Sequence, residues 1–227
     1  MARKLSKEIP KSARSPFLYR ILYPILSPLF RVLFRIQCTG LENVPMTEGC
    51  IVCPNHISNA DAIAIGAMLP SRRALFCLGK AELVRIPIIK HIVIGMGAIP
   101  INRGSSDVGA IRQSIAALAD KKLLAVFPQG TRQQGKNPAD TEFKDGVGLI
   151  LSRAKCSVLP VSITTKHMRV LPFRKLHIDI GKPIPYEAFD FSEGRKSYAD
   201  AALLIRDRIC ELARSSSITL PSGVSEQ

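Results

Sequence analysis

From residue 38 onward the chain alternates short apolar runs with longer stretches of helical period, and that alternation leaves few folds open. Residues 49–53, 74–78, 98–101, 123–127, 158–163 and 176–180 read as strands. Between them, 59–69, 106–120, 144–154 and 197–214 read as helices, and 86–94 as a helix or a buried apolar segment. Strands alternating with helices predict an α/β domain with a mixed, largely parallel sheet flanked by helices. In such sheets ligands sit beyond the carboxyl ends of the strands. A length of 227 residues suits one domain with short appendages, and 46% hydrophobic residues supply its core.

The segment before the alternation is written differently. Residues 1–15 carry Arg3, Lys4, Lys7, Lys11 and Arg14 against a single acid, Glu8, and read as a basic arm. In 16–36, apolar doublets recur every four residues, from Phe17-Leu18 to Leu33-Phe34, which lays them along one slowly drifting helical face. Pro24 and Pro28 predict a split into two short helices, an N-terminal amphipathic helix pair. Arg20, Arg31 and Arg35 with Tyr19 and Tyr23 give it the flanks of an interfacial membrane element. The same pattern suits a helix packed on the domain core. The basic arm ahead of it favours an anionic membrane surface, where each Lys or Arg adds about 1 kcal/mol.

No run approaches the roughly 20 apolar residues that span a bilayer, and a secretory signal fits poorly because Pro24, Pro28 and Arg31 interrupt the apolar run. The expectation is a protein associated with the cytoplasmic face of a membrane. Three segments follow: 1–37 for the arm and interfacial helices, 38–214 for the α/β domain, and 215–227 for a flexible Ser-rich tail.

A formal charge of +14 calls for a polyanionic partner. Nucleic acid is disfavoured: aromatics are 6%, Trp is absent, and no nucleic-acid-binding signature is found. Six cysteines lie mostly within apolar runs, and Cys50-Ile51-Val52-Cys53 has no second pair to complete a zinc site. On a strand this spacing points the two thiols to opposite faces. Reduced, buried thiols are expected, and no carboxylate cluster demands a metal. His91, His167 and His177 stand outside any constellation.

Three strand ends carry chemistry. Asn55-His56-Ile57-Ser58-Asn59-Ala60-Asp61 follows the first strongly apolar strand. On a regular helix a spacing of five would part His56 and Asp61 by about 140°. They meet only if His56 sits in a loop and Asp61 in the first helical turn, a break that Pro54 and the cap candidates Ser58 and Asn59 make credible. Asp61 would then fix the imidazole tautomer and leave the far nitrogen as a base toward a hydroxyl. Ser58-x-x-Asp61 also resembles a capping box, and both roles can coexist. Ala98–Ile101 delivers Arg103, and 123–127 delivers Gln129-Gly130-Thr131-Arg132. Arg103 and Arg132 suit a phosphate held by charge-assisted hydrogen bonds, and Gly130 permits close backbone approach. No Gly-x-Ser-x-Gly elbow marks a serine hydrolase.

Over roughly 38–185 the sequence resembles the glycerolipid acyltransferases typified by lysophosphatidate acyltransferase. Asn55, His56 and Asp61 match that family's Asn-His-x4-Asp motif. Gly97, Ile99, Ile101 and Arg103 match its Gly-x-Ile-x-Ile-x-Arg pattern. Phe127, Pro128, Gly130, Thr131 and Arg132 match Phe-Pro-Glu-Gly-Thr-Arg, with Gln129 in place of Glu. Val158-Leu159-Pro160-Val161 is similar to a fourth motif, and Phe143-Lys144-x-Gly146 also fits. The resemblance implies transfer of an acyl group from acyl-CoA or acyl carrier protein to the free hydroxyl of lysophosphatidate, with the thioester as co-substrate and no cofactor. His56 would be the base and Asp61 its partner, while Arg103, Gln129, Gly130, Thr131 and Arg132 would contact substrate. Backbone N–H groups near Gly130 or Val158–Leu159 are expected to meet the oxyanion, and 83–99 either lines an acyl tunnel or is plain core. Glycerol 3-phosphate or another lysolipid remains an alternative acceptor, and a non-catalytic lipid-binding protein a reading of another class.

Overall fold

The computed structural model describes residues 16–70, 73, 75–80, 98–101 and 108–216. The basic arm 1–15, the apolar segment 86–94, Arg103 and residues 217–227 of the tail lie outside them. In chain order the elements are α1 (Pro16–Leu33), β1 (Ile36–Thr39), β2 (Cys50–Pro54), α2 (Asp61–Met68), β3 (Leu75–Lys80), β4 (Ala98–Ile101), α3 (Val108–Ala119), β5 (Leu123–Ala125), α4 (Gly146–Ala154), β6 (Ser157–Thr165), β7 (Leu176–Ile180) and α5 (Arg195–Ser215).

The strands form one seven-stranded sheet in the order β1-β7-β6-β2-β5-β3-β4. β6, β2, β5, β3 and β4 run parallel, whereas β7 is antiparallel to β6 and β1 follows β7. This is the mixed, largely parallel α/β sheet the alternation predicts. β2 lies between two parallel neighbours and is buried along its whole length, which is why its sequence is apolar without alternation. Successive residues nonetheless face opposite layers. Ile51 and Cys53 pack with Ala117 and Leu118 of α3, Val147 and Ile150 of α4 and Ile205 of α5. Cys50 and Val52 pack with Ile65 of α2, Phe34 after α1, and Val161 and Ile163 of β6. The two thiols of the Cys-x-x-Cys run thus enter different cores.

β1 straddles the boundary drawn between 37 and 38. Its residues alternate between half-buried and exposed at the sheet edge, so no apolar run announces it. The expected helix pair is replaced by one helix, α1, with Pro24 and Pro28 inside it. Each proline removes an amide donor, yet α1 continues because its second half is pinned to α2. Ser27 Oγ donates to Ala67 O at 2.7 Å, Arg31 Nε and Nη2 donate to the same oxygen at 3.0 and 2.7 Å, and Tyr23 OH donates to Leu69 O. The bonds satisfy carbonyls in the last turn of α2 and set a cation at its negative end. The opposite side of α1 presents Ile21, Ile25, Leu29 and Val32, all exposed.

Candidate active site

β2 ends at Pro54, and the next residue continues the sheet with its side chain instead of its backbone. Asn55 is fully buried; its Nδ2 donates to Ile163 O at 2.9 Å and its Oδ1 accepts from Ile163 N at 2.7 Å. The side-chain amide thereby stands in for a peptide unit and fixes where the chain leaves the sheet. Sequence reasoning assigned it no role beyond the motif.

His56 follows in the loop, and the 127–133 segment after β5 holds its backbone from both sides. Its N–H donates to Gln129 Oε1 at 2.6 Å, and its carbonyl accepts from Gln133 N at 2.7 Å. An N–H can only donate, so this bond settles the orientation of the Gln129 amide. Gln129 Nε2 then donates to Thr141 Oγ1 at 2.6 Å, and the Thr141 hydroxyl donates to Pro138 O at 2.7 Å. Gln129 is 2% exposed, and both of its polar atoms are committed to this relay. Thr141 carries no signal of its role in the sequence.

The imidazole lies against Phe127, with ring centroids 4.2 Å apart, and its side chain is 12% exposed. Nδ1 is 2.8 Å from Asp61 Oδ2. That same oxygen accepts from Ile57 N at 2.7 Å and Ser58 N at 2.8 Å, while Ser58 Oγ accepts from Ala60 N at 3.2 Å. Asp61 therefore both partners the histidine and closes the capping turn, and Ala60 rather than Ser58 or Asn59 occupies the N-cap of α2. With a carboxylate at Nδ1, the proton belongs on Nδ1 and the lone pair on Nε2.

Beside His56, Gly130 turns with φ of 70° and donates its N–H to Phe127 O at 3.0 Å. A Cβ there would strain the backbone and stand 3.1 Å from Lys144 Cδ, so Lys144 reaches over this turn. Thr131 and Arg132 are exposed just beyond it, and Arg132 pairs with no acid among the described residues. Of the backbone groups expected to meet the oxyanion, Gly130 N bonds Phe127 O at 3.0 Å and Val158 N bonds Ile184 O at 2.9 Å. β4 ends at Ile101, two residues before Arg103, which lies outside the described residues, as does most of 83–99.

The cysteines take no part. Burial pushes the Cys50 thiol up to about 12 and raises that of Cys53 well above its ordinary value. His167 is exposed; His177 is half-buried on β7, where burial lowers its pKa; His91 lies outside the described residues.

The chain is similar to proteins of known activity. The 1-acyl-sn-glycerol-3-phosphate acyltransferase of Borreliella burgdorferi is 32% identical over 128 residues, which are 55% of this chain and 49% of that protein. The lyso-ornithine lipid O-acyltransferase of Pseudomonas aeruginosa is 27% identical over 162 residues, 61% of this chain and 60% of that protein. The chain thus spans about half to three fifths of the length of these curated relatives. The crystal structure of the 1-acyl-sn-glycerophosphate acyltransferase PlsC from Thermotoga maritima superposes with a TM-score of 0.65 at 22% identity, covering 88% of this chain and 83% of that one, a likeness of fold. The acyltransferase family model matches residues 35–164, a span that contains β2, the His56 loop and the turn at Gly130, and the chain belongs to that family.

Proposed function

We propose that the chain acylates the free hydroxyl of lysophosphatidate from an acyl thioester, giving phosphatidate. The observation that carries this reading is His56, fixed at its N–H, its carbonyl and its Nδ1, with Nε2 left as the ring's lone-pair nitrogen. His56 Nε2 takes the proton as the acceptor oxygen attacks the thioester carbonyl. The tetrahedral intermediate collapses with cleavage of the C–S bond, and the imidazolium returns the proton to the departing thiolate. Arg132, with Arg103, holds the acceptor phosphate. Coenzyme A or acyl carrier protein serves as donor, and the direct attack leaves no step for a cysteine nucleophile, a cofactor or a metal. Another lysolipid is the second reading, favoured by the relative named for lyso-ornithine lipid.

Among the described residues no helix is long and apolar enough to cross a membrane. The exposed row Ile21, Ile25, Leu29 and Val32 on α1 suits peripheral contact, with the cytoplasmic leaflet as the surface. The test is acyl transfer by the purified protein on anionic liposomes, with lysophosphatidate, glycerol 3-phosphate and lyso-ornithine lipid as acceptors and both donor types. His56→Ala should lower the rate by about 10²–10⁴-fold without changing liposome binding. Transfer to lyso-ornithine lipid alone would move the substrate and keep the base. Normal turnover in His56→Ala would remove the base, and no transfer from folded, liposome-bound protein would favour a non-catalytic lipid binder.

A further inference from the structure

Between β6 and β7 the chain runs Lys166-His167-Met168-Arg169-Val170-Leu171-Pro172-Phe173-Arg174-Lys175. Only Met168 is fully buried. Leu171 is exposed and Phe173 is 71% exposed, although an apolar ring in a ten-residue loop would ordinarily fold back onto the core. Phe173 has a positive φ of 61°, as His167 and Met168 do at 60° and 50°. Side chains with a Cβ adopt this left-handed conformation at a cost of about 1–2 kcal/mol per residue.

What the ring would meet follows from its neighbours. Phe173 N donates to Leu33 O at 2.6 Å, which ties the loop backbone to the end of α1, where Val32 is also 71% exposed. Loop and helix thus bring exposed apolar residues to the same end of α1. The charges around it have one sign. Lys166, Arg169, Arg174 and Lys175 are exposed, none pairs with an acid among the described residues, and neither the loop nor 16–33 contains an Asp or Glu. An apolar tip ringed by unpaired cations is complementary to an anionic lipid bilayer, where acyl chains lie beneath negative headgroups.

We infer that the β6–β7 loop is a second bilayer-docking element, with Leu171 and Phe173 entering the acyl region and Lys166, Arg169, Arg174 and Lys175 meeting anionic headgroups. It rests on the reading that α1 lies on a membrane, and it adds a contact point from another part of the chain. The loop is also tied to the catalytic turn: Gly135 N donates to Met168 O at 3.0 Å, two residues from Gln133, which holds His56. Docking here holds the segment that seats the base close to the surface from which a lysolipid must come.

The chain has no tryptophan, so single substitutions make clean reporters. Phe173→Trp, Ile25→Trp on α1 and Leu203→Trp on the distant α5 would be mixed with phosphatidylglycerol-containing vesicles bearing brominated acyl chains. Quenching and a blue shift at 173 and 25, with 203 unchanged, are expected. Quenching at 25 with 173 still water-like overturns the docking loop and leaves the α1 reading standing. Quenching at 173 alone supports the loop and overturns α1. Quenching at neither overturns both. A blue shift at 173 before vesicles are added would make the partner protein and overturn the proposal. As a second measurement, Phe173→Gly suits the left-handed backbone, so it should fold and be no less stable than the native chain while partitioning onto the same vesicles about tenfold more weakly. Equal partitioning would likewise overturn the proposal.

Discussion

Three donors converge on Asp61 Oδ2: the imidazole Nδ1 and the N–H groups of Ile57 and Ser58. One carboxylate oxygen thus folds the loop and orients the base. The sequence allowed both roles for Asp61, and the five-residue spacing is what made a loop position for His56 necessary. Gln129 was legible only as an odd residue in a familiar motif. Its use depends on Thr141, twelve residues away, and no local pattern carries that pairing. The relay predicts what Gln129→Glu does. The carboxylate still accepts from His56 N–H, but its second oxygen must take the Thr141 hydroxyl proton, which frees the Pro138 carbonyl. One hydrogen bond is lost, about 1 kcal/mol of stability, and the transfer rate should stay within tenfold of the native chain. Gln129→Ala, which strips the His56 N–H of its acceptor, should lower the rate by more than tenfold. A rate for Gln129→Glu well above the native value would give the charge a role in the chemistry itself.

At the scale of elements, the buried strands were readable because each is an apolar run, whereas their order in the sheet was not, since it is set by contacts between distant segments. β1 was not, since an edge strand with polar alternate residues looks like loop. The helix pair failed for another reason: two prolines argue for a break, but the bonds that override them end on Ala67 and Leu69, some forty residues downstream. Arg31→Met tests that account. Ala67 O would keep only the Ser27 hydroxyl, at a cost of about 1–2 kcal/mol. In a chain of this size the thermal midpoint should fall by roughly 2–8 °C. An unchanged midpoint would mean that α1 is held by packing alone.

For the whole molecule, the two core layers divide the thiols between them, and this sets an alkaline limit. In the unfolded chain Cys50 ionises near its ordinary 9.0, while in the native core burial delays it to about 12. Cys53 shifts the same way. The native state thus keeps protons that the unfolded state gives up, so stability is full below pH 9 and falls as pH rises from 9 toward 12. Urea midpoints at pH 8 and 10.5 should differ more for the native chain than for Cys50→Ala/Cys53→Ala. Equal differences would show that the thiols do not set the slope.

The clamp between Asn55 and Ile163 also has a consequence in time. The two residues are 108 apart, so the exit from β2 cannot be locked until Ile163 has left the ribosome. At roughly 5–20 residues per second that is on the order of ten seconds of synthesis. α1 is already made by then, and the nascent chain can meet a lipid surface before it has an assembled catalytic base.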